Sequence, residues 1–157
     1  MSKRIITKNS EETKKISGII LKKLLSQKEL KRAGIVALSG ELGSGKTTLV
    51  QGLARLMGVK EKIHSPTFVF MKIYKVFPKK KLLWKNLVHI DAYRFRGAKE
   101  AEILGVKEIF KNRQNLVVIE WPEKLGRLIP KNALWIEFLH RGENHRHIFV
   151  RDIYGKK

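Results

Sequence analysis

The first part of the chain predicts a short strand followed by an amphipathic helix. A brief extended segment at Arg4–Thr7 precedes Asn9 and Ser10, either of which can cap the start of a helix. Glu11 and Glu12 come next, where acidic side chains favour the positive end of a helix. Apolar residues then recur at helical spacing along one face, at Ile16, Ile19, Ile20, Leu24 and Leu25.

The following segment predicts a buried strand, a glycine-rich loop and a second helix. Gly34 precedes Ile35–Leu38, a run that is apolar at every position and therefore typical of a parallel strand with both faces covered. A helix is predicted over about Lys46–Met57. The loop between them therefore lies at the carboxyl end of the strand and at the start of the helix.

A β-hairpin is predicted in the middle of the chain. The segment Thr67–Val76 is rich in β-branched and aromatic residues, and a turn is expected through Pro78–Lys81. We expect this strand to pair with the stretch around Leu82–Trp84. The run Lys79-Lys80-Lys81 would then form an exposed loop tip.

Two further apolar runs each end in a carboxylate. Leu87–Ile90 is followed by Asp91, and Leu116–Ile119 is followed by Glu120. The segment between these runs, Lys99–Lys111, predicts a helix that is broken at Gly105.

The end of the chain predicts two antiparallel strands, Ala133–His140 and Arg146–Ile153, joined by a turn at Gly142-Glu143-Asn144. Alternating strands and helices with buried apolar runs indicate an α/β fold. We predict a three-layer sandwich whose mostly parallel central sheet gains a β-hairpin and antiparallel C-terminal strands. No linker or repeat interrupts the chain, so residues 1–157 are expected to form a single domain.

Composition narrows the function classes. The absence of cysteine excludes disulfide scaffolds, thiolate zinc sites, iron–sulfur clusters and cysteine nucleophiles. No apolar run approaches the roughly 20 residues that span a bilayer, so we expect no membrane association and a cytoplasmic location.

The charge leaves two explanations open. With 34 Lys and Arg against 14 Asp and Glu, the formal net charge is +20. Such an excess is typical of nucleic-acid binding, because basic side chains release counterions from phosphate backbones. Lysines scattered over solvated faces explain it equally well, and their even distribution along the chain favours this second explanation.

One motif carries specific chemistry. Gly40-Glu41-Leu42-Gly43-Ser44-Gly45-Lys46-Thr47 matches the phosphate-loop (P-loop) pattern G-x-x-x-x-G-K-[ST] and lies where that pattern requires, between a strand and a helix. Glycines let backbone N–H groups converge on phosphate oxygens, and Lys46 reaches the outer phosphates. The Thr47 hydroxyl is a predicted ligand of Mg²⁺.

The second magnesium anchor of a P-loop is normally a carboxylate at the end of a neighbouring strand. Asp91 and Glu120 both qualify, and either can also orient the attacking water. The sequence does not decide between them. Asp91, like the other aspartate of the chain, stands outside the Asn-Lys-x-Asp element with which GTPases commonly bind guanine, so ATP is favoured over GTP. A small-molecule kinase and a nucleic-acid-binding module remain as alternative functions.

Four elements together resemble the bacterial TsaE (formerly YjeE) family of ATPases. They are Gly40–Thr48, Ser65-Pro66-Thr67-Phe68, His89-Ile90-Asp91-Ala92-Tyr93-Arg94 and Glu120-Trp121-Pro122-Glu123-Lys124. The resemblance implies an ATPase that acts with the TsaB–TsaD pair in making threonylcarbamoyladenosine at position 37 of tRNA, without itself transferring the threonylcarbamoyl group.

The resemblance also implies residue roles. Thr47 and Glu120 would hold Mg²⁺, Asp91 would act near the metal or on the water, and Thr67 would lie in a switch-like segment that senses the γ-phosphate. Tyr93 and Arg94 would shape the partner-facing side of the pocket, and His89 is expected to be structural. Lys46, Asp91 and Glu120 are the predicted catalytic residues, and Thr47, Asp91 and Glu120 the predicted metal ligands. The predicted nucleotide contacts are Gly40, Glu41, Leu42, Gly43, Ser44, Gly45, Lys46, Thr47, Thr48, Thr67 and Trp121.

One departure from the family concerns charge. The stretch Pro78–Lys85 is unusually basic for the hairpin region, which leaves direct contact with tRNA open.

Overall fold

The computed structural model describes residues 2–26, 31–78, 82–142 and 145–151. Within those ranges the strands are β1 (Ser2–Thr7), β2 (Gly34–Gly40), β3 (Met71–Lys75), β4 (Asn86–Asp91), β5 (Asn115–Glu120), β6 (Leu134–Arg141) and β7 (His145–Arg151). The α-helices are α1 (Ser10–Leu25), α2 (Lys46–Leu56), α3 (Ala98–Ile103) and α4 (Val106–Lys111), and a 3₁₀ helix covers Pro122–Leu128.

The strands form one mixed sheet in the order β1-β7-β6-β2-β5-β4-β3. Its centre is parallel, because β2 pairs in parallel with β5 and β6, and β5 pairs in parallel with β4. The outer pairs β1–β7, β6–β7 and β3–β4 are antiparallel. The predicted α/β class and its parallel central sheet with antiparallel additions are confirmed.

Two hydrophobic cores cover the two faces of the sheet. Successive residues of a strand point to opposite faces. In β2, Val36 and Leu38 therefore pack with α1 and α2 in one core, whereas Ile35 packs with α3 and α4 in the other. The result is the predicted three-layer arrangement.

The predicted helices are largely confirmed. Asn9 caps α1, since its side chain accepts a hydrogen bond from the Glu12 backbone N–H at 2.8 Å. The chain between α3 and α4 breaks at Leu104 and Gly105, as the sequence predicts.

The predicted hairpin has a different partner from the one expected. The strand begins only at Met71, and β3 pairs with β4, from Met71 opposite Ile90 to Lys75 opposite Asn86. Residues 82–84 lie outside the strands, and Trp84 is buried in the core beneath α1 and α2. The expected pairing with Leu82–Trp84 is therefore wrong, because burial of the Trp84 indole determines the path of that stretch. The tip Lys79–Lys81 lies outside the described residues.

The C-terminal strands β6 and β7 pair antiparallel as predicted, from Trp135 opposite Arg151 to Arg141 opposite His145. Glu143 and Asn144 of the expected turn, and the expected strand end at Ile153, lie outside the described residues. Among the helices that the structure describes, none combines the length and apolar content needed to cross a membrane.

Candidate phosphate-binding site

The glycine-rich loop connects the end of the central strand β2 to the start of α2. Gly40 has a φ of +141°, and a Cβ placed there would lie 2.6 Å from the backbone oxygen of Phe138 on β6. Only glycine fits this close approach. The loop then curls through Gly45, which precedes the first residue of α2, Lys46. The positive end of α2, with its unpaired N–H groups, therefore lies at the loop.

Lys46 is held inside the curl of the loop. Its Nζ donates hydrogen bonds to the carbonyl oxygens of Gly40, at 2.6 Å, and Glu41, at 2.8 Å. The same ammonium lies 4.3 Å from the ring centroid of Trp121. Burial lowers the pKa of Lys46 below its ordinary value, and the nearby carboxylate of Glu120 opposes that shift. The charge is thus fixed in place and only partly solvated.

Thr47, in the first turn of α2, meets Glu120 at the end of β5. The Thr47 hydroxyl donates to Oε1 of Glu120 at 2.8 Å. The same oxygen lies 2.8 Å from Nε2 of His89, which is fully buried on β4. The two predicted metal ligands of this pair are therefore adjacent.

Asp91 is bound to the segment that precedes β3. Its Oδ2 accepts hydrogen bonds from the hydroxyls of Ser65, at 2.8 Å, and Thr67, at 2.6 Å. Its Oδ1 accepts from the backbone N–H of Tyr93 at 3.0 Å. Both oxygens of this buried carboxylate are engaged, and the carboxylate ties the Ser65–Thr67 segment to the end of β4.

These elements enclose a cleft of about 370 Å³. Most predicted site residues line it: Leu42, Gly43, Ser44, Gly45, Lys46, Thr47, Thr48, Thr67, Asp91, Glu120 and Trp121. Gly40 and Glu41 are absent from this lining, and their carbonyls hold Lys46 instead. Arg94 also lies apart from the lining, with its guanidinium 5.5 Å from the ring centroid of Phe68.

Two lining residues, Ser65 and Arg146, are not among the predicted site residues, and Tyr93, which is predicted to shape the partner-facing side of the pocket, also lines the cleft. Arg146 belongs to β7, far along the chain from the loop, and a Cβ at Gly45 would lie 3.1 Å from its Cδ and Nε. The sequence predicts a structural role for His89, whereas the structure places its Nε2 against Glu120 of the cleft. The sequence does contain a signal for this position: His89 and Asp91 are two residues apart on one strand, so both side chains point to the same face of β4.

The donor set fits a magnesium–phosphate ligand. A hydroxyl and a carboxylate supply the hard oxygen ligands that Mg²⁺ prefers, and Mg²⁺ in such sites is completed by waters and phosphates rather than by an all-protein cage. No cluster of three His, Asp or Glu side chains suited to a metal occurs in the described ranges. Two buried polar atoms at the cleft, Ser44 Oγ and Arg146 Nε, have no hydrogen-bond partner among the residues that the structure describes. A bound anion would satisfy such donors.

The parallel sheet, the glycine loop opening α2 and the cleft at the strand ends place the chain in the P-loop NTPase-like class of α/β domains. A family model described as "Threonylcarbamoyl adenosine biosynthesis protein TsaE" matches residues 7–148, and the chain belongs to the TsaE family.

Individual relatives agree with this assignment. The chain is 33% identical over 144 residues to the tRNA threonylcarbamoyladenosine biosynthesis protein TsaE of Bacillus subtilis, covering 90% of this chain and 80% of the relative. The protein of the same name from Treponema pallidum is 29% identical over 147 residues, covering 94% and 98%. The crystal structure of Bacillus subtilis YdiB superposes with a TM-score of 0.73 at 26% identity, covering 98% of this chain and 86% of that one.

Proposed function

We propose that this protein is the ATP-binding and ATP-hydrolysing component of tRNA N6-threonylcarbamoyladenosine biosynthesis. It acts with the TsaB–TsaD complex in the cytoplasm and does not itself transfer the threonylcarbamoyl group. Membership of the TsaE family supports the pathway. The partner assignment follows from the family resemblance of the four motifs.

The observation that carries the ATPase proposal is the 2.8 Å hydrogen bond between the Thr47 hydroxyl and Glu120 Oε1 beside the loop. A loop that holds an ammonium and a hydroxyl next to a strand-end carboxylate supplies what phosphoryl transfer to water requires, namely positioning and charge neutralisation.

The residues divide this work. Lys46 and the loop amides bind the phosphates and neutralise charge that develops on them. Thr47 and Glu120 would hold Mg²⁺, which would supply positive charge to neutralise the phosphates when bound. The bond to Thr47 favours Glu120 as the metal-side carboxylate, so Asp91 is assigned to the side of the attacking water and the Ser65–Thr67 segment.

Turnover by the isolated chain is expected to be slow. Both oxygens of Asp91 already accept hydrogen bonds from Ser65, Thr67 and Tyr93. These bonds occupy three of the roughly four lone-pair sites of a carboxylate, which leaves one site on Oδ1 to orient water. A partner that rearranges the Ser65–Thr67 segment would free one oxygen and accelerate hydrolysis.

Calorimetry with Mg·ATP and steady-state phosphate release, each measured alone and with TsaB–TsaD, test this proposal. We expect binding by the lone chain, slow release and stimulation by the partners. Lys46→Ala should abolish turnover, whereas Lys60→Ala, which removes an exposed ammonium elsewhere on the surface, should leave it unchanged.

Three results would overturn the ATPase proposal. The first is absence of nucleotide uptake even beside the partners. The second is transfer of label from γ-labelled ATP to a metabolite, which indicates a kinase. The third is salt-dependent RNA binding that survives Lys46→Ala in a chain without turnover, which indicates a nucleic-acid-binding module.

A further inference from the structure

His89 occupies an unusual position for an imidazole. It lies in the middle of β4, is fully buried, and shares its face of the sheet with Leu87 and Asp91. Its neighbour in the parallel ladder is Val118 of β5. Leu87 and Val118 are buried apolar side chains, whereas the register partner of His89 on β3 is Lys72, so the imidazole has apolar neighbours on one side and a charged residue on the other.

The ring donates to the carboxylate of Glu120. Nε2 of His89 lies 2.8 Å from Oε1 of Glu120, and an ionised carboxylate only accepts hydrogen bonds. Nε2 therefore carries the hydrogen. Because the Thr47 hydroxyl donates to the same Oε1, two donors converge on one oxygen, and neither of them engages Oε2.

This convergence fixes the orientation of the Glu120 carboxylate. Donors from β4 and α2 approach Oε1 from two elements, so rotation about the terminal carboxylate bond breaks at least one of the two hydrogen bonds. Oε2 is thereby left to a ligand in the cleft, which Glu120 lines.

A purely structural role does not account for His89. In the described part of the chain its second ring nitrogen, Nδ1, is buried without a hydrogen-bond partner. Leaving a buried polar group unsatisfied destabilises a fold, and an apolar side chain of similar size avoids that cost. The bond to Glu120 is the compensating feature.

We propose that His89 is a positioning residue that orients Glu120 toward Mg²⁺, an inference that rests on the proposed nucleotide-binding function. His89 touches neither metal nor phosphate in this scheme. It acts by holding Oε1, so that Oε2 is presented without the entropy loss of ordering the carboxylate at binding.

The test compares His89→Leu with His89→Gln. Leu removes the donor and the unsatisfied Nδ1, whereas the Gln amide nitrogen provides a donor at a reach similar to that of Nε2. We expect His89→Leu to lower the affinity of the ADP complex for Mn²⁺, measured by electron paramagnetic resonance, by about tenfold. ADP affinity with metal chelated should not change, because Lys46 and the loop are intact. His89→Gln should restore much of the metal affinity.

Val117→Ala provides the stability control. Val117 is fully buried in the opposite core, against α3 and α4, so its truncation should lower the melting temperature without altering metal affinity. Unchanged metal affinity in His89→Leu overturns the proposal, as does an equal loss in Val117→Ala. If wild type binds no Mg·ADP, the proposed function falls as well.

A second measurement applies if His89→Leu does not fold. In ¹⁵N spectra of the wild-type ADP complex, His89 should be protonated on Nε2, and that resonance should shift when Mg²⁺ replaces chelator. A resonance that is protonated on Nδ1 alone, or that does not respond to Mg²⁺, overturns the proposal.

Discussion

Trp121 combines a strained backbone with a position in the cleft. It has φ 58° and ψ 48°, a left-handed conformation that costs a bulky residue on the order of 1–3 kcal/mol. Its backbone N–H nevertheless donates a hydrogen bond to the Leu38 oxygen of β2. The conformation turns the indole onto Lys46 and Tyr93, whose ring centroid lies 5.1 Å away.

This placement makes Trp121 a reporter of phosphate binding. The Lys46 ammonium lies 4.3 Å from the indole and sets the electrostatic environment of the ring. We expect nucleotide addition to change tryptophan fluorescence, because a phosphate bound to Lys46 changes that environment. The change should vanish in Trp121→Phe and persist in Trp135→Phe, which alters an indole that does not line the cleft. A signal that instead disappears with Trp135 would contradict the assignment.

Arg146 is expected to contribute directly to nucleotide affinity. Its Nε is buried at the loop and has no hydrogen-bond partner within the described ranges, and charge-assisted hydrogen bonds to phosphate are among the stronger ones. Arg146→Ala should weaken ATP binding in calorimetry by roughly tenfold or more, the equivalent of about 1.5–3 kcal/mol for a hydrogen bond to a charged group. Arg4→Ala, at an exposed position on β1, is the matched control. Equal affinities for the two variants would remove Arg146 from the site.

Thr47 and Glu120 can be identified from the sequence, whereas Arg146 cannot. Thr47 and Glu120 were predictable because a local motif and the end of an apolar run mark them, and parallel strands bring such ends together. The contact of Arg146 with the loop has no such local mark, because it depends on β6 lying beside β2. That pairing joins segments about a hundred residues apart and leaves no local pattern.

Among the elements, the segment before β3 was predicted least accurately. Thr67–Phe70 has the β-branched and aromatic composition of a strand, yet it forms turns in which the Val69 N–H donates to the Pro66 oxygen at 3.0 Å. The hydrogen bonds to Asp91 override the strand propensity of this segment. Its predicted switch-like role remains a prediction. The structure shows that hydrogen bonds from Ser65 and Thr67 to Asp91 hold the segment.

Thr67→Val removes one of the two hydroxyl hydrogen bonds that join this segment to Asp91, with little change in side-chain volume. The lost hydroxyl donates to Asp91 at 2.6 Å, so we expect faster hydrogen exchange of the amides in residues 67–70 and altered turnover. Thr67→Ser keeps the hydroxyl and should behave like wild type. Exchange rates that are the same in all three proteins would mean that the Ser65 and Tyr93 contacts to Asp91 suffice to order the segment.

At the scale of the whole molecule, the sheet explains why most residues of the candidate site are expected from the sequence to lie together. β2 and β4 flank β5, and both pair with it in parallel, so the loop, Asp91 and Glu120 necessarily meet at one edge. The antiparallel β7 starts at the same edge, beside the end of β6, and so brings Arg146 into the cleft. The parallel part follows from buried apolar runs, whereas the lateral order of strands depends on tertiary packing.

The net charge of +20 acts on the molecule as a whole. Exposed ion pairs such as Lys107–Glu102, at 2.9 Å, and Lys111–Glu108, at 2.8 Å, contribute about 0.2–1 kcal/mol each at most. Repulsion among the excess cations extends over the surface and opposes compaction. Salt weakens both the attraction within the ion pairs and the repulsion among the cations, with a screening length of about 10 Å at 0.1 M. Since the cations outnumber the available carboxylates, the loss of repulsion should exceed the loss of pairing.

We therefore expect the melting temperature to rise with NaCl at moderate concentrations. Each 1 kcal/mol of relieved repulsion should raise it by about 2–4 °C for a chain of this size. Sucrose at equal osmolality separates screening from solute exclusion, because it strengthens burial without shielding charge. A melting temperature that falls as NaCl increases would show that the surface ion pairs outweigh the repulsion, and that the lysines are arranged to pair rather than merely to remain solvated.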